Sequence, residues 1–219
     1  MELPKTSAGT LRVCWIKALK LLENIRLKPH AKILDAGSGD GRFSKIIKSK
    51  FPKSDFHCID FNQKLLNKIP KPFKKKKVNL NKKIPYKNET FDFVFTGGVI
   101  ECLSNHELFL SELYRILKKD GKLLITTFNV VNLSNRVKVL FGKNPTPKVR
   151  KTLFTPKELR DDLNKNGFNI IATNNSGIPF PHHFPAPHTI KNIFIGLDKL
   201  FPNIAVEMLF LCQKKAKKK

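Results

Sequence analysis

Three glycines at alternate positions follow an apolar run near the start of the chain. The stretch reads KILDAGSGDGRFSKII and contains Gly37, Gly39 and Gly41. Glycines let a chain turn tightly and let a ligand approach the backbone closely. Asp35 and Asp40 accompany these glycines, and two carboxylates would repel a pyrophosphate group. The loop is therefore suited to a ligand that carries an ammonium group and hydroxyls.

A further carboxylate stands at the end of the next predicted strand, SDFHCIDF. This residue is Asp60, and the aromatic residue Phe61 follows it. In doubly wound sheets a carboxylate at this place accepts hydrogen bonds from ribose hydroxyls. An aromatic ring beside it can lie against an adenine. An adenosine with a cationic amino-acid tail and no phosphate meets these demands, and S-adenosyl-L-methionine is such a molecule.

Short apolar segments alternate with segments of helical spacing from residue 31 to residue 129. This alternation predicts parallel strands joined by right-handed crossovers, with helices on both faces. A helix from about Leu11 to Ile25 precedes them. A third strand is expected at KKVNLN and a fifth at KLLITTFN. For the helix SNHELFLSELYRILKKDG we expect Ser104 as the N-terminal cap and Gly121 as the terminator.

Three segments of this chain resemble class I S-adenosylmethionine-dependent methyltransferases of the small-molecule branch. ILDAGSGDG resembles the first motif of that family and IDFN its acidic second motif. The region from IPYKNETFDFVFTGGVIECL to FLSELYRILKKDGKLLITTFN is similar to its fourth and fifth strands. The resemblance implies an α/β fold, a doubly wound, seven-stranded, mostly parallel Rossmann-like sheet with an antiparallel last strand. From their own residue pattern, TPKELRDDLNKNG is expected to form a helix, and FNIIATNN and AVEMLFLCQKK are expected to form the sixth and seventh strands.

The resemblance also implies an organisation for the chain. An N-terminal helical segment (1–30) precedes a cofactor-binding core (31–129). The remaining residues, 130–219, form the C-terminal half of the same domain. Inserts at about 130–154 and 176–203 are expected to form a lid and the acceptor site.

The same resemblance assigns roles to residues at matching positions. Asp35, Gly37, Gly39 and Gly41 would hold the methionine end of the cosubstrate. Asp60 would hold the ribose. The adenine would contact Phe61, Asn79 and Leu80, with Asn79 in place of an aspartate that is frequent in the family; Thr96 would border the transferring methyl group.

The resemblance implies direct in-line methyl transfer, and the sequence identifies no catalytic residue for it. If the acceptor needs a base, the candidates are His182, His183 and His188 in the second insert. No carboxylate shares their spacing, so no metal is expected. Aromatic residues in the inserts favour a small-molecule or lipid-linked acceptor as the partner.

The formal net charge of +25 raises the alternative of a nucleic-acid substrate. Only seven of the 42 basic residues are Arg, the residue that phosphate and base recognition prefers. The abundant Lys, Asn, Ile and Phe are typical of AT-rich coding sequence. An RNA methyltransferase that uses the lysines near KPFKKKK therefore stays an alternative, as does a non-catalytic protein that binds an adenosyl ligand or a partner.

The location of the protein is expected to be cytoplasmic. No apolar run reaches the roughly 18 residues of a membrane helix, and the N-terminus lacks the layout of a signal peptide. The four cysteines are scattered, which predicts reduced thiols rather than a disulfide framework.

Overall fold

Seven strands form a single sheet in the computed structural model, which describes residues 13–23, 25–145, 150–177 and 202–215. All of the strands except the lysine-rich third contribute buried apolar side chains. In chain order they are β1 (Lys32–Ala36), β2 (Asp55–Asp60), β3 (Lys74–Lys77), β4 (Phe91–Gly97), β5 (Leu117–Phe128), β6 (Phe168–Ser176) and β7 (Glu207–Lys214).

The strand order is β3-β2-β1-β4-β5-β7-β6. Neighbouring strands from β3 to β5 are parallel, whereas β7 is antiparallel to both β5 and β6. The predicted doubly wound, mostly parallel sheet with an antiparallel last strand is therefore confirmed. Because the chain order reverses beside β1, the carboxyl ends of β1 and β4 border the crevice in which such sheets bind ligands.

Six α-helices accompany the strands in the described part of the chain, one before β1 and five between later strands. Asn62 begins α3 by accepting hydrogen bonds from the amides of Lys64 and Leu65 at 3.0 and 3.4 Å. Thr155 and Glu158 form a reciprocal capping box at the start of α6. The helices are α1 (Val13–Leu22), α2 (Arg42–Lys50), α3 (Gln63–Leu66), α4 (His106–Ile116), α5 (Leu133–Leu140) and α6 (Pro156–Lys165).

The core consists of two apolar clusters, one on each face of the sheet. Val94 belongs to the cluster that contains Phe109 of α4, while Phe93 belongs to the cluster that contains Ile46 of α2. This division follows from the alternation of side chains along a strand. The sheet is thus fixed from both sides, and its carboxyl edge is a rigid base for a site.

Both predicted ends of α4 are wrong. Asn105, not Ser104, is the N-terminal cap, because its side chain accepts from the amide of Leu108 at 3.0 Å. The helix ends at Ile116, five residues before Gly121, and β5 begins at once. A positive φ angle, 61°, occurs near the start of β5, but it belongs to Asp120 and not to Gly121.

Two other predicted boundaries shift. The third strand occupies Lys74–Lys77 and ends before Val78, so it covers only the first two residues of the expected region and the two lysines that precede it. Helix α1 spans Val13–Leu22 within the described residues. Most of the second insert, residues 178–201, lies outside the described part of the chain.

Candidate functional site

The glycine loop after β1 is held against the end of β2. The amides of Gly37 and Ser38 donate to the carbonyl of Ile59 at 2.8 and 3.0 Å. The amide of Gly39 donates to Oδ2 of Asp60 at 2.8 Å. The φ angles of Gly37, Gly39 and Gly41 are 86°, 54° and 74°, which is the left-handed region that favours glycine.

The three glycines of the loop have different surroundings. A Cβ on Gly37 would collide with the side chain of Val99, and one on Gly41 would come within 2.9 Å of Ile69. A Cβ on Gly39 would meet no atom of the described residues within 4 Å. Gly37 and Gly41 are therefore needed for packing, while Gly39 leaves open space beside the loop that a ligand could fill.

Asp35 is a buried carboxyl at the end of β1. Its Oδ2 accepts a 2.5 Å hydrogen bond from Oγ of Ser44 on α2. Its Oδ1 is buried and has no hydrogen-bond partner in the described part of the protein. Burial raises the pKa of Asp35 to about 7, with a smaller contribution from the charge of Asp60, although the hydrogen bond from Ser44 opposes the shift. A cationic group near Oδ1 would offset the cost of this burial.

Two hydroxyls nearby are also buried without a hydrogen-bond partner among the residues that the structure describes. They are Oγ of Ser38 in the glycine loop and Oγ1 of Thr96 in β4. Buried polar atoms are rarely left unpaired in proteins. Together with Oδ1 of Asp35 they place three unmet hydrogen-bonding groups at or near the carboxyl ends of β1 and β4.

Asp60 is fixed by two backbone amides. Besides the bond from Gly39, its Oδ1 accepts from the amide of Asn62 at 2.8 Å. Each carboxylate oxygen has capacity for a second hydrogen bond. Phe61, which follows, has an exposed fraction of 72%. The carboxylate, which is buried at 7% exposure, is thus positioned by the chain with acceptor capacity left over, and the next residue in sequence carries an uncovered aromatic ring.

The residues after β3 lie on the next loop of the same edge. Asn79 is exposed, and its Oδ1 accepts from the amide of Asn81 at 3.0 Å, whereas Leu80 is buried. Oδ1 of Asn81 accepts from the amide of Ser104 at 2.7 Å. This bond connects the loop to the start of α4, so that the loop has a fixed position relative to the end of β4.

A cavity of about 190 Å³ opens beside the glycine loop. Of the residues expected from the sequence it includes Asp35, Gly37 and Gly39, and it extends to Gly97 and Gly98 at the end of β4. The other expected residues are not among its lining residues: Gly41, Asp60, Phe61, Asn79, Leu80 and Thr96.

Sequence reasoning missed several residues that line this cavity. Arg42 forms an ion pair with Asp40 at 2.9 Å directly after the loop. Trp15 comes from α1 and Glu207 from β7. The position of Arg42 beside the motif is a signal that could have identified it. Trp15 and Glu207 have no such signal, because they reach the cavity through the packing of distant segments.

A second buried carboxyl, Glu101, lies just after β4. Its Oε2 accepts from Oγ1 of Thr127 at 2.6 Å, and its carbonyl accepts from the amides of Lys151 and Thr152. Burial raises the pKa of Glu101, while the bond from Thr127 opposes the shift. Glu101 therefore joins the ends of β4 and β5 to the end of the first insert.

Neither a metal-binding cluster nor a membrane-spanning helix occurs among the described residues. Within residues 13–23, 25–145, 150–177 and 202–215, no group of three or more His, Cys, Asp or Glu side chains could hold a metal ion. No helix in that part of the chain is long and apolar enough to cross a bilayer. The candidate bases His182, His183 and His188 lie outside the described residues.

Comparison with known proteins identifies the family. Residues 12–173 match the model of a methyltransferase domain, which is more than half of the chain. The protein therefore belongs to this methyltransferase family, and the resemblance of its motifs to S-adenosylmethionine-dependent methyltransferases is confirmed.

Curated relatives match over shorter lengths. The ubiquinone/menaquinone biosynthesis C-methyltransferase UbiE of Rhizobium etli is 27% identical over 136 residues, which are 58% of this chain and 52% of that protein. The uncharacterized protein MJ1123 of Methanocaldococcus jannaschii is 30% identical over 166 residues, or 72% of each chain. The chain covers between 41% and 62% of three of the curated relatives that it matches.

A solved structure with the same fold is a chain from the complex between the Haloferax volcanii Trm112 methyltransferase activator and a methyltransferase. The TM-score is 0.70 at 13% sequence identity, and the match covers 94% of this chain and 91% of that chain. This likeness concerns the fold alone.

Proposed function

We propose that this protein transfers a methyl group from S-adenosyl-L-methionine to a small-molecule or lipid-linked acceptor. Family membership supports the reaction class. The observation that carries the proposal is the arrangement of Asp35, Gly39 and Asp60: a buried carboxyl with an unpaired oxygen, a loop position open to a ligand, and a second carboxylate held by the loop itself.

Each residue has a role in binding under this proposal. Oδ1 of Asp35 accepts from the ammonium of the methionine end, because that oxygen is buried and unpaired among the described residues. Gly37, Gly39 and Gly41 shape the backbone beside it. Asp60 accepts from the ribose hydroxyls, while Phe61, Asn79 and Leu80 contact the adenine. The residue set therefore fits the cosubstrate, and Thr96 adds a hydroxyl near the end of β4.

When bound, S-adenosyl-L-methionine supplies a methyl group on a sulfonium, whose departure needs no acid catalyst. The tasks left to this chain are to align the acceptor with the methyl group and to exclude water. Gly97 and Gly98 border the cavity without side chains. A Cβ on Gly98 would meet no described atom closer than 3.9 Å, so Gly98 leaves room for an acceptor beyond the end of β4, whereas a Cβ on Gly97 would come within 2.7 Å of the Phe95 ring.

The inserts at 130–154 and 176–203 are proposed to cover the acceptor site. The first insert is attached to the loop after β4, because the carbonyl of Glu101 accepts hydrogen bonds from the amides of Lys151 and Thr152 near the end of that insert. A base for acceptors that must lose a proton would come from His182, His183 or His188. These roles remain predictions from the sequence.

The lysines of β3 favour a small acceptor over RNA. Lys74 forms an ion pair with Asp55 at 2.8 Å, and Nζ of Lys75 donates to the carbonyl of Ile69 at 2.8 Å. Nζ of Lys76 lies 6.0 Å from the centre of the Tyr86 ring. All four lysines are exposed, but the ammonium groups of Lys74 and Lys75 have polar contacts within the protein, which reduces what this strand offers to phosphates.

Calorimetry tests the proposal. We expect S-adenosylhomocysteine to bind with micromolar affinity and NAD to give no heat, because the buried carboxyl of Asp35 would face its pyrophosphate. Heat from NAD together with none from S-adenosylhomocysteine would reject the proposed site. Binding without methyl transfer to any quinol, phenol or amine acceptor, or to RNA, would favour the non-catalytic alternative.

A further inference from the structure

Helix α5 presents apolar side chains to solvent and a polar side chain to the protein. Asn135 is buried, whereas Val137, Leu140 and Phe141 have exposed fractions of 45%, 82% and 75%. The spacing i, i+3, i+4 places these three residues on one face of a helix. At about 100° per residue, that face points away from the side that carries Asn135. The amphipathic pattern of this helix is therefore reversed relative to a helix that packs on a core.

The base of α5 is anchored by three asparagines. Nδ2 of Asn135 donates to the carbonyl of Val130 at 2.9 Å, and Oδ1 of Asn132 accepts from the amide of Asn135 at 3.1 Å. Nδ2 of Asn132 donates to the carbonyl of Asn129 at 2.7 Å, and Nδ2 of Asn129 donates to the carbonyl of Ala205 at 2.9 Å. These bonds fix the direction of the helix, so that the outward apolar face is part of the fold.

Basic residues surround the apolar face. Arg136 and Lys138 lie on either side of Val137, and Lys143 follows the end of the helix; all three are exposed. The sequence has no Asp or Glu between Asp120 and Glu158. An exposed apolar stripe with basic flanks is typical of helices that lie in the interface of an anionic bilayer.

Two features favour a lipid surface over a second copy of the chain. A copy would bring the same basic flanks and a net charge of +25 against this face, which is repulsive. The patch is formed by Val137, Leu140 and Phe141. Three side chains provide far less than the roughly 800 Å² per partner that a stable protein interface buries.

We propose that the patch of Val137, Leu140 and Phe141 docks this protein on the surface of an anionic lipid bilayer. The apolar side chains enter the boundary between headgroups and acyl chains, and Arg136, Lys138 and Lys143 contact lipid phosphates. Because α5 directly follows β5, whose Thr126 lines the cavity, docking brings the carboxyl edge of the sheet close to the membrane. The proposal concerns a surface and does not depend on methyl transfer.

Vesicle flotation of the full chain tests this proposal. We expect the protein to float with vesicles of phosphatidylcholine and phosphatidylglycerol, and more weakly with phosphatidylcholine alone. The double variant Leu140→Ser, Phe141→Ser should lower the partition coefficient at least about tenfold, because the most exposed apolar groups are lost. Ile171→Ser is the matched control, since Ile171 is 42% exposed on β6, outside the patch, and it should float like the wild type.

A charge-reversal variant tests the contribution of the basic residues to vesicle binding. Lys138→Glu should weaken flotation with the anionic vesicles and leave the weak binding to neutral vesicles unchanged. All of these side chains are exposed, so the melting temperatures should match that of the wild type. The proposal is overturned if the wild type does not float or if the double variant floats equally well. It is also overturned if light scattering shows that the double variant dissociates a dimer while vesicle binding is unchanged.

Discussion

The amide of Gly39 donates a 2.8 Å hydrogen bond to the carboxylate of Asp60, joining the middle of the glycine loop to the end of β2. Asp60 therefore has two functions under our proposal: it orders the loop and accepts from the ribose. Its second oxygen accepts from the amide of Asn62, which begins the next segment. A test of the ribose contact has to separate these functions.

Asp60→Ala should weaken the binding of S-adenosylhomocysteine by about 2 kcal/mol or more, since a charged acceptor for the ribose hydroxyls is lost. Asp60→Asn retains an oxygen acceptor and should lose less. Calorimetry gives both affinities, and thermal unfolding reports the structural part of the effect. An unchanged dissociation constant in Asp60→Ala would reject the ribose contact.

Gly39 offers a test of the open space beside the loop. Gly39→Val should abolish binding, and Gly39→Ala should weaken it, because the new side chain occupies the space of the ligand. Gly142→Ala is a matched control for backbone strain: its φ is 64°, and no atom of the described residues lies within 4 Å of a Cβ there. Both alanine variants should lose about 1 kcal/mol of stability, as expected for alanine in the left-handed region. Normal binding by folded Gly39→Val would show that the loop is structural only.

Because Asp35 is a buried carboxyl, we predict that the affinity for S-adenosylhomocysteine depends on pH. The raised pKa of about 7 means that the carboxyl holds a proton below that pH in the free protein. Binding of an ammonium group requires the ionised form, so the affinity should fall towards lower pH, by up to about tenfold per unit below pH 7. Above pH 7 the affinity should level off. Asp35→Asn should bind weakly at every pH, and a wild-type affinity that does not vary between pH 6 and 8 would contradict the contact.

The burial of Asp35 also leads us to predict that the folded protein becomes less stable as the pH rises. The pKa of Asp35 is about 7 in the folded protein against an ordinary value of 3.8. The folded state therefore binds more protons between these values, and its stability falls as the pH rises from about 4 to 7. Asp35→Asn removes the buried charge and keeps an acceptor for Ser44, so the free energy of unfolding should rise by about 2 kcal/mol above pH 7. Chemical denaturation at two pH values measures this, and a loss of stability above pH 7 would contradict it.

The second insert is tested by replacement, since its residues lie outside the described part of the chain. A short Gly-Ser linker in place of residues 181–187 should leave the affinity for S-adenosylhomocysteine within about threefold. Methyl transfer to the true acceptor should fall at least tenfold, which is about 1.4 kcal/mol of transition-state stabilisation. Unaffected turnover would show that the segment has no part in the acceptor site. Lost cofactor affinity would show that it covers the adenosyl ligand instead.

Local sequence determined much of the fold and part of the candidate site. The loop of Gly37, Gly39 and Gly41 and the carboxylates Asp35 and Asp60 could be predicted because each follows a strand that its own apolar residues define. Parallel strands bring their carboxyl ends to one edge, so that residues far apart in sequence meet there. The caps of α3 and α6 were also local, since each side chain binds amides within three residues.

Tertiary structure decided what depends on distant partners. Asn105 displaces Ser104 as the cap of α4, where the amides of both residues are held by the side chain of Asn81. The raised pKa of Asp35 comes from burial, which no motif encodes. Trp15 and Glu207 reach the cavity only through packing. The sequence of α5 shows apolar residues at helical spacing, but only the asparagine anchor fixes which way they face, because a helical period defines a face and not its direction.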